Sequence, residues 1–169
     1  MVPVSFAGRL ALVCLVMNDS NDRCSTEAQL LNAAGSKKSQ HETFRNALAE
    51  WTGREIDQML HTGKNPVHMA AWKGSLDNLQ YLVEKLHCNV DVVSTGTYSY
   101  GKTPIFFALT QSREDITNYL LDRNVCVKII NNKGQSPLSI ASSHLSLLTV
   151  ERIRGIEKLQ HGIPWQNYR

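Results

Sequence analysis

From residue 63 onward the apolar positions recur with the spacing of helices. Leu76, Leu79, Leu82 and Val83 share one face of a 3.6-residue helix, as do Ile116, Tyr119, Leu120 and Leu121, and again Leu147, Val150 and Ile153. Ahead of each stripe lies a shorter apolar stretch with a small residue at a common register: Ala70, Ala108 and Ala141. A small residue there lets a first helix pack closely on its neighbours. The pattern predicts an all-α chain built from pairs of helices.

The stretches before the stripes are versions of one phrase: "GKNPVHMAAWKG" from Gly63, "GKTPIFFALTQS" from Gly101 and "GQSPLSIASSHL" from Gly134. Asn65, Thr103 and Ser136 are N-cap residues, whose side-chain oxygens accept from the first free backbone donors of a helix. Each precedes a proline, Pro66, Pro104 or Pro137, at the first helical position, where a missing N–H is harmless. The glycine two residues before each cap suits the positive φ of a tight turn. Asn124 suits a left-handed helix end, as the residue next best to glycine for it.

The prolines are separated by 38 and then 33 residues, and 33 is the ankyrin period. Over residues 63–154 the chain resembles the ankyrin-repeat family, with its order of turn, capped helix, loop and second helix. The longer first interval divides into one extra residue within "EKLHCNV" and four in the turn that carries "TGTYSY". Upstream, "FRNALAEWTGREIDQML" from Phe44 looks like a degraded unit, with "AEWTG" aligned on "AAWKG" and Ile56, Met59 and Leu60 forming a shortened second helix.

This reading gives an ankyrin-repeat solenoid over 41–154: a degenerate cap at 41–62 and units at 63–100, 101–133 and 134–154. Residues 1–40 are an irregular or partly disordered segment outside the array, with a short helix available over "TEAQLLNAA". The tail 155–169 exposes Leu159, Ile163, Trp165 and Tyr168, and either folds back as a cap or leads into another domain. Two departures from the family pattern matter. Only the first unit keeps the family histidine, as His68, so its bond to a capping hydroxyl is available at most once. Leu145 replaces the usual glycine, which leaves the last helix pair free to run on as one helix.

"GTYSYGKT", residues 96–103, also fits the phosphate-loop pattern G-x-x-x-x-G-K-[ST]. The repeat already requires Gly101 and Thr103, and Lys102 occupies a solvent position filled by Lys64 one unit earlier. Only Gly96 remains unexplained, so the match reads as a by-product of the repeat, and no nucleotide, other cofactor or metal is expected.

A formal net charge of +3 makes no case for nucleic acid or a membrane as partner. Cys14, Cys24, Cys88 and Cys126 form none of the short pairs of zinc or redox sites, and read as reduced thiols of a cytoplasmic or nuclear protein. "LALVCLVM", residues 10–17, is too short to span a bilayer. As a signal-peptide core it lacks a preceding basic segment and a small-residue cleavage site; were the chain secreted, Asn18 would be a glycosylation sequon.

No set of nucleophile, base and acid forms a recognisable catalytic motif, so no enzyme is expected. "TP" at Thr103 and "SP" at Ser136 resemble proline-directed phosphorylation sites but are helix caps first. The resemblance implies a non-catalytic scaffold or adaptor that binds another protein through turn tips and the concave face of its first helices. Carried onto this chain, the turn positions are Tyr98, Tyr100, Lys102, Asn132, Lys133 and Gln135, and the helix positions Trp72, Lys73, Thr110, Gln111, Ser143 and His144. Trp72 has a competing role as packing against the degenerate unit. The rival function is that of a docking head for a larger enzyme whose catalytic domain lies elsewhere.

Overall fold

The computed structural model describes residues 30–31, 33–35, 41–49, 51–58, 60 and 62–160. The leucine-rich stretch at 10–17, the sequon, Cys14, Cys24, Met59 and the residues of the tail beyond 160 lie outside them. The described elements are helical: α1 (His41–Leu48), α2 (Gly53–Asp57), α3 (Pro66–Lys73), α4 (Leu76–Gln80), α5 (Pro104–Thr110), α6 (Glu114–Asp122), α7 (Pro137–His144) and α8 (Leu147–Leu159). No β-strand occurs among the described residues.

Two rows of helices form the body. The first helices α3, α5 and α7 pack in sequence, and each is backed by its own second helix, α4, α6 or α8. The middle helix shows why the sequence needs this stacking. Ile105, Phe106, Phe107, Ala108 and Leu109 are all buried, and a short helix apolar on every side is stable only between neighbours. α6 buries Ile116, Thr117, Leu120 and Leu121, packs half-buried Tyr119 against the core, and exposes Asp115 and Asp122. In α8 Val150 and Ile153 are buried, but Leu147, assigned to the same stripe, is 75 % exposed.

The repeated phrase folds as its chemistry dictates at most positions. Gly63, Gly101 and Gly134 all take positive φ, at 76°, 77° and 72°. Asn65 and Ser136 accept from the backbone N–H three residues on. Thr103 departs from its expected role: its backbone has cap geometry, but its side chain caps nothing, and its hydroxyl is buried without a partner. The reason is local. The Phe106 N–H that should reach the hydroxyl donates to the Thr103 carbonyl oxygen at 3.0 Å.

The single extra residue of the first unit is absorbed inside a helix. α4 passes directly into a π turn, Tyr81–Lys85, closed by the Leu86 N–H on the Tyr81 carbonyl at 3.3 Å. Such a bulge inserts one residue without changing the helix faces on either side of it. The unit then ends on His87 at φ 55°, as the next ends on Asn124 at φ 56°. Leu145 is extended, at φ −122° and ψ 169°, so the last pair breaks into two helices and does not run on.

The start of the array is set differently from the alignment of "AEWTG" on "AAWKG". α1 packs on α4, which places it in the row of second helices. Helical residues 30, 31, 33 and 34 also pack here: Leu30, Leu31 and Ala34 are buried in the core, and the Asn78 amide of α4 donates to the carbonyls of Ala33 and Ala34 at 3.2 and 2.9 Å. Part of the segment assigned to a region outside the array thus packs into the same core as the array. Trp51 is buried between α1 and α2, outside any helix, and is not the counterpart of Trp72. At the other end α8 runs through position 154, and Gln160 ties back to Val125 and Val127.

Candidate functional site

The inserted turn between the first and second units is held by backbone bonds. The Ser94 N–H donates to the Lys102 carbonyl at 2.8 Å, and the Gly101 N–H returns to the Ser94 carbonyl at 3.0 Å. Below them, the Thr95 N–H and the Ser94 hydroxyl both donate to the Gly63 carbonyl, at 3.0 and 2.7 Å. Ser94 is fully buried, and its oxygen also meets the Ser99 hydroxyl at 2.6 Å. His68 supports the approach to this turn from α3. Its Nδ1 accepts the Asn65 N–H at 3.1 Å, so Nε2 carries the proton and donates to the Val92 carbonyl at 2.8 Å. The histidine therefore serves the backbone of the cap residue, since unit one has no capping hydroxyl. Burial lowers its pKa to about 4, which keeps it neutral.

On this frame Tyr98 is 92 % and Tyr100 62 % exposed. The third turn is organised by buried Asn131, whose Oδ1 accepts from the N–H groups of Lys133 and Gln135 at 2.9 and 3.0 Å. Asn132, Lys133 and Gln135 project from it into solvent. The second and third turns are adjacent, since a Cβ on Gly101 would lie 3.7 Å from the Asn132 nitrogen. Lys102 is half-buried, with its ammonium 6.0 Å from the centre of the Phe107 ring. Desolvation, then the charges of Lys133 and Lys64, hold its pKa below the usual lysine value.

The remaining assigned positions lie at the opposite ends of the first helices, about 12 Å away along an eight-residue helix. Thr110, Gln111, Ser143 and His144 are exposed there. Trp72 is half-buried against the core, and the exposed Lys73 places its ammonium 4.7 Å from the centre of that ring. The assigned residues thus form two patches, one at the turn tips and one at the helix ends. Lys64 belongs with the first patch and was not among the assigned positions. Its signal was the repetition of Gly-Lys in "GKN" and "GKT".

The phosphate-loop phrase takes another form here. No strand leads into Gly96, and Lys102 sits over an aromatic ring. One arrangement does place catalytic residue types together: the Ser75 hydroxyl is 3.3 Å from His41 Nε2, and His41 Nδ1 is 3.5 Å from an Asp77 carboxylate oxygen. Ser75 is buried. The open hollow beside this group, about 530 Å³, is lined by His41, Glu42, Arg45, Asn46, Asp77 and Tyr81 and does not reach the serine. The three residues fasten α1 to α4, together with the bond from the Tyr81 hydroxyl to the Arg45 carbonyl at 3.0 Å.

Among the described residues no histidine, cysteine and carboxylate cluster has metal-binding geometry, and no helix is long and apolar enough to cross a membrane. Cys88 and Cys126 are free and buried, and burial pushes both thiols above their ordinary pKa. The family model for the ankyrin repeat matches residues 62–95. That span runs from the turn before α3 through the π turn to the threshold of the inserted residues.

Proposed function

We propose, on the premise that this chain folds as an ankyrin-repeat solenoid, that it is a non-catalytic scaffold or adaptor whose partner protein docks on the turn tips. Ankyrin repeats are protein-interaction modules, and the feature supporting this surface is the inserted turn. It holds Tyr98 and Tyr100 in water on a hydrogen-bonded frame. Exposed tyrosines on a rigid loop offer large contact area with few rotamers to freeze, and interface hot spots are rich in tyrosine. Asn132, Lys133 and Gln135 extend the surface to the next turn, and Trp72, Lys73, Thr110, Gln111, Ser143 and His144 form its distal edge.

The burial of Ser75 and its separation from the nearby hollow support a structural role for the His41 group. A cytoplasmic or nuclear location fits the free thiols of Cys88 and Cys126. Site-specific photo-crosslinking in cells tests the surface. A photoreactive residue at Tyr98 or Lys133 should capture a protein that the same residue at Glu151, on α8, does not. Equal capture from all three positions, or capture from Glu151 alone, would reject the turn tips as the docking surface.

A further inference from the structure

Three successive turns each contribute one lysine to the turn-tip patch: Lys64 and Lys102 directly follow left-handed glycines, and Lys133 directly precedes one. The turns that carry them are neighbours, since Gly63 meets Gly96 and Gly101 lies against Asn132, and the charges of Lys133 and Lys64 both help to lower the pKa of Lys102. None of them pairs with a carboxylate among the described residues. The described ion pairs lie on other elements: His41–Asp77, Arg123–Glu84, Arg152–Asp122 and Arg154–Glu151. Like charges set side by side without a counter-charge lower stability, and an incoming anionic group relieves that repulsion.

Resting on the turn-tip reading above, we propose that the partner is an acidic peptide segment of another protein. Its carboxylates meet Lys64, Lys102 and Lys133, and an apolar or aromatic side chain within it packs on Tyr98 and Tyr100. Tyr98, Tyr100 and Lys102 belong to the inserted turn, with Lys64 and Lys133 on the turns either side of it, so one extended segment running across the three turns reaches both. The frame is pre-organised, which limits the entropy lost on binding. Three lysines release too few counterions to carry affinity for nucleic acid, which grows with the number of phosphates neutralised. A peptide adds apolar contact to charge.

Selection from a random peptide library displayed on phage, against the intact chain, tests both layers. The enriched peptides should be net acidic and carry at least one large apolar residue. Their affinity should fall at least about tenfold in a Lys64→Gln, Lys102→Gln, Lys133→Gln variant whose melting temperature is unchanged or raised, and should weaken as salt is raised. If charge reversal to glutamate at these positions leaves the selected peptides bound, the inference is overturned. It is overturned equally if the enriched peptides are neutral or basic, or if a single-stranded oligonucleotide binds more tightly than any of them. In those cases a loss of peptide binding on Tyr98→Ala with Tyr100→Ala keeps the turn-tip surface. Binding indifferent to both the lysine and the tyrosine changes sinks that surface as well.

Discussion

Gly63 and Gly96 meet backbone to backbone: a Cβ on Gly63 would stand 1.8 Å from the Gly96 nitrogen and 2.3 Å from its Cα. A Cβ on Gly96 would stand 2.3 Å from the Thr62 carbonyl oxygen. The inserted turn therefore lies flat on the turn before it, and glycine at 96 is a demand of that contact. Gly96→Ala should cost about 1–3 kcal/mol, the usual size of an overpacking defect. It should also speed amide exchange at Thr95, whose N–H is bonded to Gly63 across the contact. A Gly96→Ala protein with parental stability and exchange would mean that the two turns separate in solution.

Thr103 should tolerate loss of its hydroxyl. Because the oxygen is buried without a partner, Thr103→Val should leave stability unchanged or raise it by up to about 1 kcal/mol. Asn65→Ala should be destabilising by about 0.5–2 kcal/mol, because that side chain does cap its helix. Urea unfolding of both variants separates the two roles. A valine variant as damaged as the alanine one would restore the cap at Thr103.

His68 and Asp57 should make opposing contributions in acid. The His68 pKa falls from 6.5 to about 4 through burial, so the native state binds fewer protons than the unfolded one between those values. Its contribution is complete above pH 6.5 and is lost as pH falls toward 4, on the order of 3 kcal/mol. Asp57, which accepts the Asn89 N–H at 2.9 Å, is raised from 3.8 to about 6, mainly by desolvation. Its contribution has the reverse sign: it is complete below pH 3.8 and lost as pH rises through 6. Between pH 4 and 6 the two partly cancel. Asp57→Asn should therefore steepen the loss of stability on acidification, measured as the urea midpoint against pH. A parallel or shallower curve would remove Asp57 from this balance.

The π turn should be removable. Deleting Lys85, which is exposed, should convert Tyr81–Lys85 to α-helix and preserve the faces of Leu79 and Leu82. Circular dichroism should keep its helical amplitude, and unfolding should stay cooperative. Loss of cooperativity would show that the extra residue is needed to carry the chain from Leu86 to Cys88.

Much of this architecture is written locally. Gly-x-cap-Pro, an apolar helix and a second apolar stripe specify each unit, because turn strain, capping and helical periodicity act within a few residues. The positions of all three turn glycines, the left-handed Asn124 and the one-residue surplus before Val90 followed from such rules. So did the exposure of Tyr98 and Tyr100, since an insertion between repeats has no partner inside the stack.

The remainder depended on contacts between residues far apart in the chain. The place of α1 beside the second helices is held by His41 between Ser75 and Asp77 and by the Tyr81 hydroxyl on Arg45, and that of residues 33–34 by Asn78. A five-residue likeness such as "AEWTG" carries no record of those contacts. Thr103 has the right residue type for a cap, yet a backbone oxygen took its donor. Gly96 matched a phosphate loop in sequence, and only packing against Thr62 and Gly63 accounts for it. Local rules determine which elements form, because their energies are short-ranged. Which elements meet, and which polar groups are left over when they do, is decided by packing the whole array.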